Sequence, residues 1–509
     1  MRSKSTFIGI LLGLFSVGMV IASSPSQSVK HHPNPDSPLK ERWKWAEKES
    51  KASEYRDGFW IGYSIEKLMG RNSYTGSSSS SWKDKITLSE IVYGKKVEDD
   101  QSQLSDGEII RRAARRALDD LENRGRSEEK ILKDIAILFQ FSRTGRFDDM
   151  KLSNLSLHVD LKKRPLIWLD KARDKESVDL LTNLYKDASN DETKEETVAA
   201  VGIHAPSEPV MSFLEKVLNS RENDDIREKA AFWLGQQDNK KALDILVKTA
   251  NRDRSSEVRE QAVFAISQLD IKEATDALID LANNANDSGV REKAVFWLGQ
   301  GEDPRALKAL LLIVESDPSG DVREKGVFAI SQMKMDEAID ALIDLAYNAK
   351  YENAREKSVF WLGQSGNSKA LATLVKIANS DRSSDVREGA VFGISQMRSE
   401  EATESLIDLA YNGESHGVRK KALFWLGQKA SKKAAKALEN VVYEDNDIDI
   451  QNQAVFALSQ LHNNEGIPKL IKISKTHSSF RVRKKAIFWL GQSDDRRAID
   501  ALVEIVRKK

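Results

Sequence analysis

The chain has 509 residues, more than one hydrophobic core holds, which implies several domains or an elongated repeat array. Lysine plus arginine and aspartate plus glutamate both number 79, so no net field draws the molecule to nucleic acid or an anionic membrane, and no nucleic-acid partner is expected. The absence of cysteine excludes disulfides, a lipid-anchored N-terminal cysteine and any thiolate metal site.

At the start, Arg2 and Lys4 precede an uncharged apolar run from Phe7 to Ile21, and Val20-Ile21-Ala22 supplies small residues for a signal peptidase. Residues 1–22 read as a cleaved secretory signal, which places the mature protein in the periplasm or outside the cell. The alternative is an uncleaved anchor, against which the run falls short of the roughly 20 residues of a spanning helix; after cleavage no stable membrane insertion is expected. Residues 23–38, with Pro25, Pro33, Pro35 and Pro38, have the composition of a disordered linker.

Residues 39–160 read as a small α+β domain. Trp43-Lys44-Trp45 begins a charged helix, and Gly58 to Ile65 alternates aromatic and small residues as a strand does. Ser77 to Ser81 forms a loop. Lys85 to Tyr93, Asp134 to Phe141 and Leu152 to Val159 are further strand candidates, and Ile109 to Leu121 is a helix with arginines on its polar side.

Beyond this, Val290-Arg-Glu-Lys-Ala-Val-Phe-Trp-Leu-Gly-Gln300 recurs every 32 residues. Its second position falls at Arg227, Arg259, Arg291, Arg323, Arg355, Arg387, Arg419, Gln451 and Arg483 without insertion or deletion. Each unit divides into two amphipathic helices. In one copy Asp303 caps a first helix opened by Pro304, Asp317 to Gly320 breaks it, and Asp321 with Glu324 forms a capping box for a second helix running to about Gln332. Helices this short cannot bury their apolar faces alone, so neighbouring pairs must stack. Residues 226–509 are regular copies. Residues 163–225 are degenerate ones, represented by Glu195 to His204 and, a further period back and shifted by one residue, by Leu166 to Asp170.

Val290, Arg291, Ala294, Leu298 and Gly299 resemble the Val-Arg-x-x-Ala-Ala-x-Ala-Leu-Gly helix of the HEAT-like repeats of phycobilisome lyases. The resemblance covers about two-thirds of the chain and implies a mainly α fold, a right-handed α-solenoid or superhelix of 32-residue HEAT-like helix pairs. It also implies that the second helices line the concave face. Repeat arrays of this kind are specific for fold and not for function.

A 64-residue period overlies the 32-residue one. Trp233, Trp297, Trp361, Trp425 and Trp489 stand where intervening copies have Ala265, Ala329, Gly393 or Ala457. At about 100° per residue, Trp297 falls with Val290, Ala294 and Leu298, so the tryptophans are expected in the core. On the same projection Phe296 and Gln300 lie well outside that stripe, near 240° and 280°. Phe232, Phe264, Phe296, Phe328, Phe360, Phe392, Phe424, Phe456 and Phe488 never vary. Gln268, Gln300, Gln332, Gln364 and Gln396 follow four residues on. Two readings stay open: packing between repeats, or an exposed docking track for a protein or peptide. The arginines are expected to pair with loop acids such as Asp321 or Asp385.

No catalytic residues stand out. His31, His32, His158, His204, His416, His462 and His477 have no ligand spacing, and neither a Gly-rich phosphate loop nor a nucleophile elbow occurs, so no metal or cofactor is expected. The expected role is a non-catalytic protein-binding scaffold or adaptor outside the cytoplasm. An accessory or regulatory subunit of an envelope complex is the alternative, with a lyase-like or other enzymatic role a distant third. The sequence does not decide the oligomeric state.

Overall fold

A computed structural model describes residues 28–70, 86–94, 130–188, 190–429 and 431–507. The leader, the Ser77 to Ser81 loop and the Ile109 to Leu121 helix lie outside them. The chain divides into two compact units, Met1–Phe213 and Leu214–Lys509.

The first unit is built on a five-stranded sheet of order β1-β5-β2-β3-β4, where β1 is Val29–His31, β2 Phe59–Gly70, β3 Lys130–Phe141, β4 Phe147–Asn154 and β5 Leu166–Lys171. Strands β2, β3 and β4 pair antiparallel, and β5 runs parallel to both β1 and β2. One face buries Trp60, Leu138, Leu166 and Trp168. Here the small residues of β2 have a use: a Cβ on Gly62 would lie 2.5 Å from a methyl of Leu138 and 3.0 Å from the Trp168 ring. Trp43 of the helix Leu39–Glu49 lies against the opposite face, edge-on to Phe139 at 5.1 Å.

Val29–His31, assigned to the linker, is the edge strand β1. Of the strand expected over Lys85 to Tyr93, the described residues from 86 on are otherwise: Thr87 and Glu90 form a capping box, and Leu88–Tyr93 is a helix ended by Gly94 at φ 69°. Leu166 to Asp170, assigned to a degenerate repeat, belongs to β5. A strand flanked by parallel neighbours and covered on both faces carries a continuous apolar run, which periodicity does not distinguish from a buried helix.

Helix pairs begin at Asp174–Asp187 and Asp191–Gly202, not at residue 163. In the second unit the second helices are Asp224–Leu234, Ser256–Ser267, Ser288–Leu298, Gly320–Gln332, Glu352–Ser365, Ser384–Gln396, His416–Gln428, Ile448–Ser459 and Phe480–Gly491. First helices alternate with them, from Lys240–Arg252 to Arg496–Arg507. Asp303 caps Pro304–Ser316 as expected, accepting from the Arg305 amide at 2.9 Å. The second helix of that copy is capped by Ser319, not by Asp321, which lies in its first turn. Val290, Ala294, Val295 and Leu298, and their equivalents along the chain, form the buried seam.

Candidate partner-binding face

The 64-residue period arises from two kinds of contact between successive second helices. A Cβ on Gly299 would sit 2.6 Å from the Ala329 Cα, one on Gly235 2.9 Å from the Ala265 Cα, and one on Gly363 2.5 Å from the Gly393 Cα. The glycine of each Trp-Leu-Gly-Gln therefore seats on the small residue of the next copy, at the position where a tryptophan stands in its own. In the following gap the glycine position is a serine, whose hydroxyl turns back to its own helix, as Ser331 does to the Phe328 carbonyl at 2.6 Å. A tryptophan fills that gap.

The tryptophans are consequently not core residues. Trp233, Trp297, Trp361, Trp425 and Trp489 are all half-buried, wedged at the edge of the second-helix layer. The projection placed them on the seam because it assigns a direction to a Cβ; the indole extends from there toward the preceding repeat.

Each wedge meets phenylalanines. Phe264 contacts Trp297 at 5.2 Å, Trp297 contacts Phe296 at 5.1 Å, and Phe296 stacks on Phe328 at 6.3 Å and 9°. The pattern repeats through Trp361, Phe360 and Phe392, then Trp425, Phe424 and Phe456, and ends at Trp489 and Phe488. One unbroken row of ring contacts thus runs from Phe264 to Phe488. The rings are packing elements and are also open to solvent: Phe232, Phe264, Phe296, Phe328, Phe392, Phe424 and Phe456 are half-buried, and Phe360 and Phe488 are exposed, the latter by 52%. Gln268, Gln300, Gln332, Gln364 and Gln396 are exposed.

Charges flank the row. Lys293 pairs with Glu260, Lys357 with Glu324 and Lys421 with Glu388, each bridging to the preceding repeat. The residue after the arginine position reads Glu228, Glu260, Glu292, Glu324, Glu356 and Glu388, then Lys420, Asn452 and Lys484. A groove of about 590 Å³ lies around Phe328, Phe360 and Trp361 and is lined by Glu292, Asp321, Glu324, Lys325, Glu356 and Lys357. Burial, then the nearby Glu352 and Asp385, raise the Glu356 carboxyl above the ordinary range. These three carboxylates come close enough to share a cation, but such groupings are common on acidic surfaces.

The arginine series is structural, with partners other than those expected. Asp317 shows the scheme: its carboxylate takes Arg291 of the preceding copy in a two-point contact at 2.8 and 3.1 Å, while its carbonyl accepts from Arg323 of its own copy at 2.7 Å. Asp381 clamps Arg355 and Arg387 in the same way, and Asp253 clamps Arg227 and Arg259. The exception in the series is explained too. Gln451 needs only to donate to the Asp445 carbonyl, at 2.6 Å, which a neutral amide does as well as a guanidinium, while Arg419 holds the Asp445 carboxylate.

Two of the histidines, His204 and His477, are buried. His204 Nε2 lies 2.8 Å from the Ser177 hydroxyl, itself 2.8 Å from Tyr63, and burial lowers its pKa. His477 Nε2 lies 2.9 Å from the Val442 carbonyl.

Known family models match HEAT repeats over residues 211–299, 284–359 and 346–426, and a PBS lyase HEAT-like repeat over residues 482–508. No curated protein matches the chain. Among solved structures, human deoxyhypusine hydroxylase in complex with glycerol is similar at 19% identity over 52% of this chain and 96% of that one, with a TM-score of 0.22. The Escherichia coli protein YibA is similar at 18% identity over 53% and 98%, with a TM-score of 0.29. Importin beta in an ammonium sulfate condition is similar at 14% identity over 65% and 49%, with a TM-score of 0.34.

Proposed function

Because the chain is a HEAT-repeat protein, its second helices laid side by side from Asp224 to Gly491, we propose that it is a non-catalytic protein-binding scaffold that captures a polypeptide on the second-helix face, outside the cytoplasm. The supporting observation is the row of rings from Phe264 to Phe488. Packing alone tolerates leucine, isoleucine or methionine on a helix flank, and the neighbouring Ala231, Val295 and Leu423 do vary. A fixed, half-exposed aromatic row beside exposed amides is the composition of a recognition surface, where rigid rings supply contact area at small entropic cost.

The test is capture of the partner from the envelope fraction by the full chain, followed by affinity measurement with Phe328, Phe360 and Phe392 replaced together by leucine. Leucine keeps most of the packing volume and removes the ring face. Binding at least tenfold weaker, about 1.4 kcal/mol, with little change in thermal stability is the expected result. Unchanged affinity would show that the rings serve packing alone.

A further inference from the structure

Glutamate occupies six successive copies of one repeat position, from Glu228 to Glu388, and the last three copies replace it with Lys420, Asn452 and Lys484. In the last copy Lys485 lies over both the Phe488 and Trp489 rings, 5.6 Å from each centroid, and the position of its counterpart acid in the preceding repeat holds the neutral Asn452. In the acidic stretch the lysines are already committed, Lys357 to Glu324 and Lys325 over the Phe328 ring at 5.7 Å. Glu292, Asp321 and Glu356, which line the groove beside Phe328 and Phe360, carry no ion pair among the described residues. Along one aromatic row a stretch of glutamates therefore gives way to one in which lysine and asparagine replace them.

We infer, resting on the reading of this face as a docking surface, that the row is charge-polarised and holds an extended polypeptide in one orientation, a basic stretch in the Phe328–Phe360 groove and an acidic stretch over Lys420, Lys484 and Lys485. A lysine or arginine entering the groove finds ring faces on which to stack and carboxylates to neutralise it, the two contributions that favour cation–π contact. Opposite charge at the far end adds attraction, and the reversed orientation sets like charges against each other at both ends. The span is compatible: four helix-to-helix steps of about 10 Å separate Phe360 from Phe488, which an extended segment covers in roughly 12 residues. Crowding of Glu356 by Glu352 and Asp385 agrees, since a cation there relieves repulsion.

The test uses the full chain and three dye-labelled peptides of roughly 16 residues, long enough for that span. One alternates lysine and tyrosine, one alternates glutamate and tyrosine, and one joins a lysine–tyrosine half to a glutamate–tyrosine half. Anisotropy titrations compare wild type with Glu292→Gln/Asp321→Asn/Glu356→Gln and with Lys420→Gln/Lys484→Gln/Lys485→Gln. The basic peptide should bind at least tenfold more weakly to the first variant and unchanged to the second, and the acidic peptide the reverse. The mixed peptide should bind more tightly than either and weaken in both variants. Indifference of the basic peptide to the acid substitutions, of the acidic peptide to the lysine substitutions, or no binding of any peptide overturns the polarity. If the Phe328, Phe360 and Phe392 leucine variant weakens all three peptides and the charge variants weaken none, the docking surface stands and only its polarity falls. If the charge variants act and the leucine variant does not, the rings are not the docking surface.

Discussion

A Cβ added to Gly299 would lie 2.6 Å from the Cα of Ala329, so two backbones meet where most helix pairs are held apart by side chains. Gly299→Ala forces those helices apart and should destabilise the second unit by roughly 1–3 kcal/mol, the usual cost of overpacking. Ala329→Gly in the same chain should recover part of that loss, and urea denaturation of the four proteins of the cycle measures the coupling. Additive effects would show that the close approach is not a constraint.

Trp297→Ala should cost about 1–2 kcal/mol, below the roughly 3–5 kcal/mol of a fully buried aromatic, because the indole is half-buried and loses chiefly its contacts with Phe264 and Phe296. Denaturant midpoints check it, and a loss at the top of the buried range would restore the core assignment.

Asp317→Asn leaves Arg291, a residue only 8% exposed, without its counter-charge and should cost about 3–5 kcal/mol. Adding Arg291→Met removes the stranded charge and should return much of that. Gln451→Met tests the neutral half of the clamp: losing only a hydrogen bond to the Asp445 carbonyl, it should cost less than Asp317→Asn.

Burial, then Asp149, raises the Glu196 carboxyl from 4.5 to about 7, with the hydrogen bond from the Met150 amide opposing the shift. The folded state therefore holds a proton that the unfolded state has released between about pH 4.5 and 7. Stability of the first unit should be greatest below that window and fall as pH rises through it. Melting temperatures from pH 5 to 8 check this, and Glu196→Gln should flatten the profile and stabilise the protein at its alkaline end.

Export is expected from Arg2, Lys4 and the Phe7 to Ile21 run. Intact-mass measurement on protein produced with its own leader should give a chain beginning at or near Ser23, and full-length protein retained in the cytosol would remove the extracytoplasmic part of the proposed function.

The second unit was legible because its signal is repeated. A 32-residue period fixes helix existence and the apolar seam, and Val290, Ala294 and Leu298 lie where a 3.6-residue spacing puts them. The aromatic and amide series was legible as a series. β5 was not, since Leu166-Ile-Trp-Leu169 has no alternation to betray a strand covered on both faces. β1 was hidden for a similar reason: three residues in a proline-rich stretch gain their order from pairing with Leu166 to Trp168 and from nothing local.

By itself, then, the sequence determined everything set by spacing along one helix: the repeat, the seam, the unvarying phenylalanine and the shift from Glu388 to Lys420. Tertiary structure decided what depends on a neighbour's distance. The alternation of tight glycine contacts with wide gaps turns Trp297 out of the core and against Phe264, and it brings the Asp317 carboxylate, rather than Asp321, to Arg291. A helical projection gives the direction of a Cβ but not the separation of the helix it faces. That separation decides whether an indole is buried and whether a row of rings meets solvent.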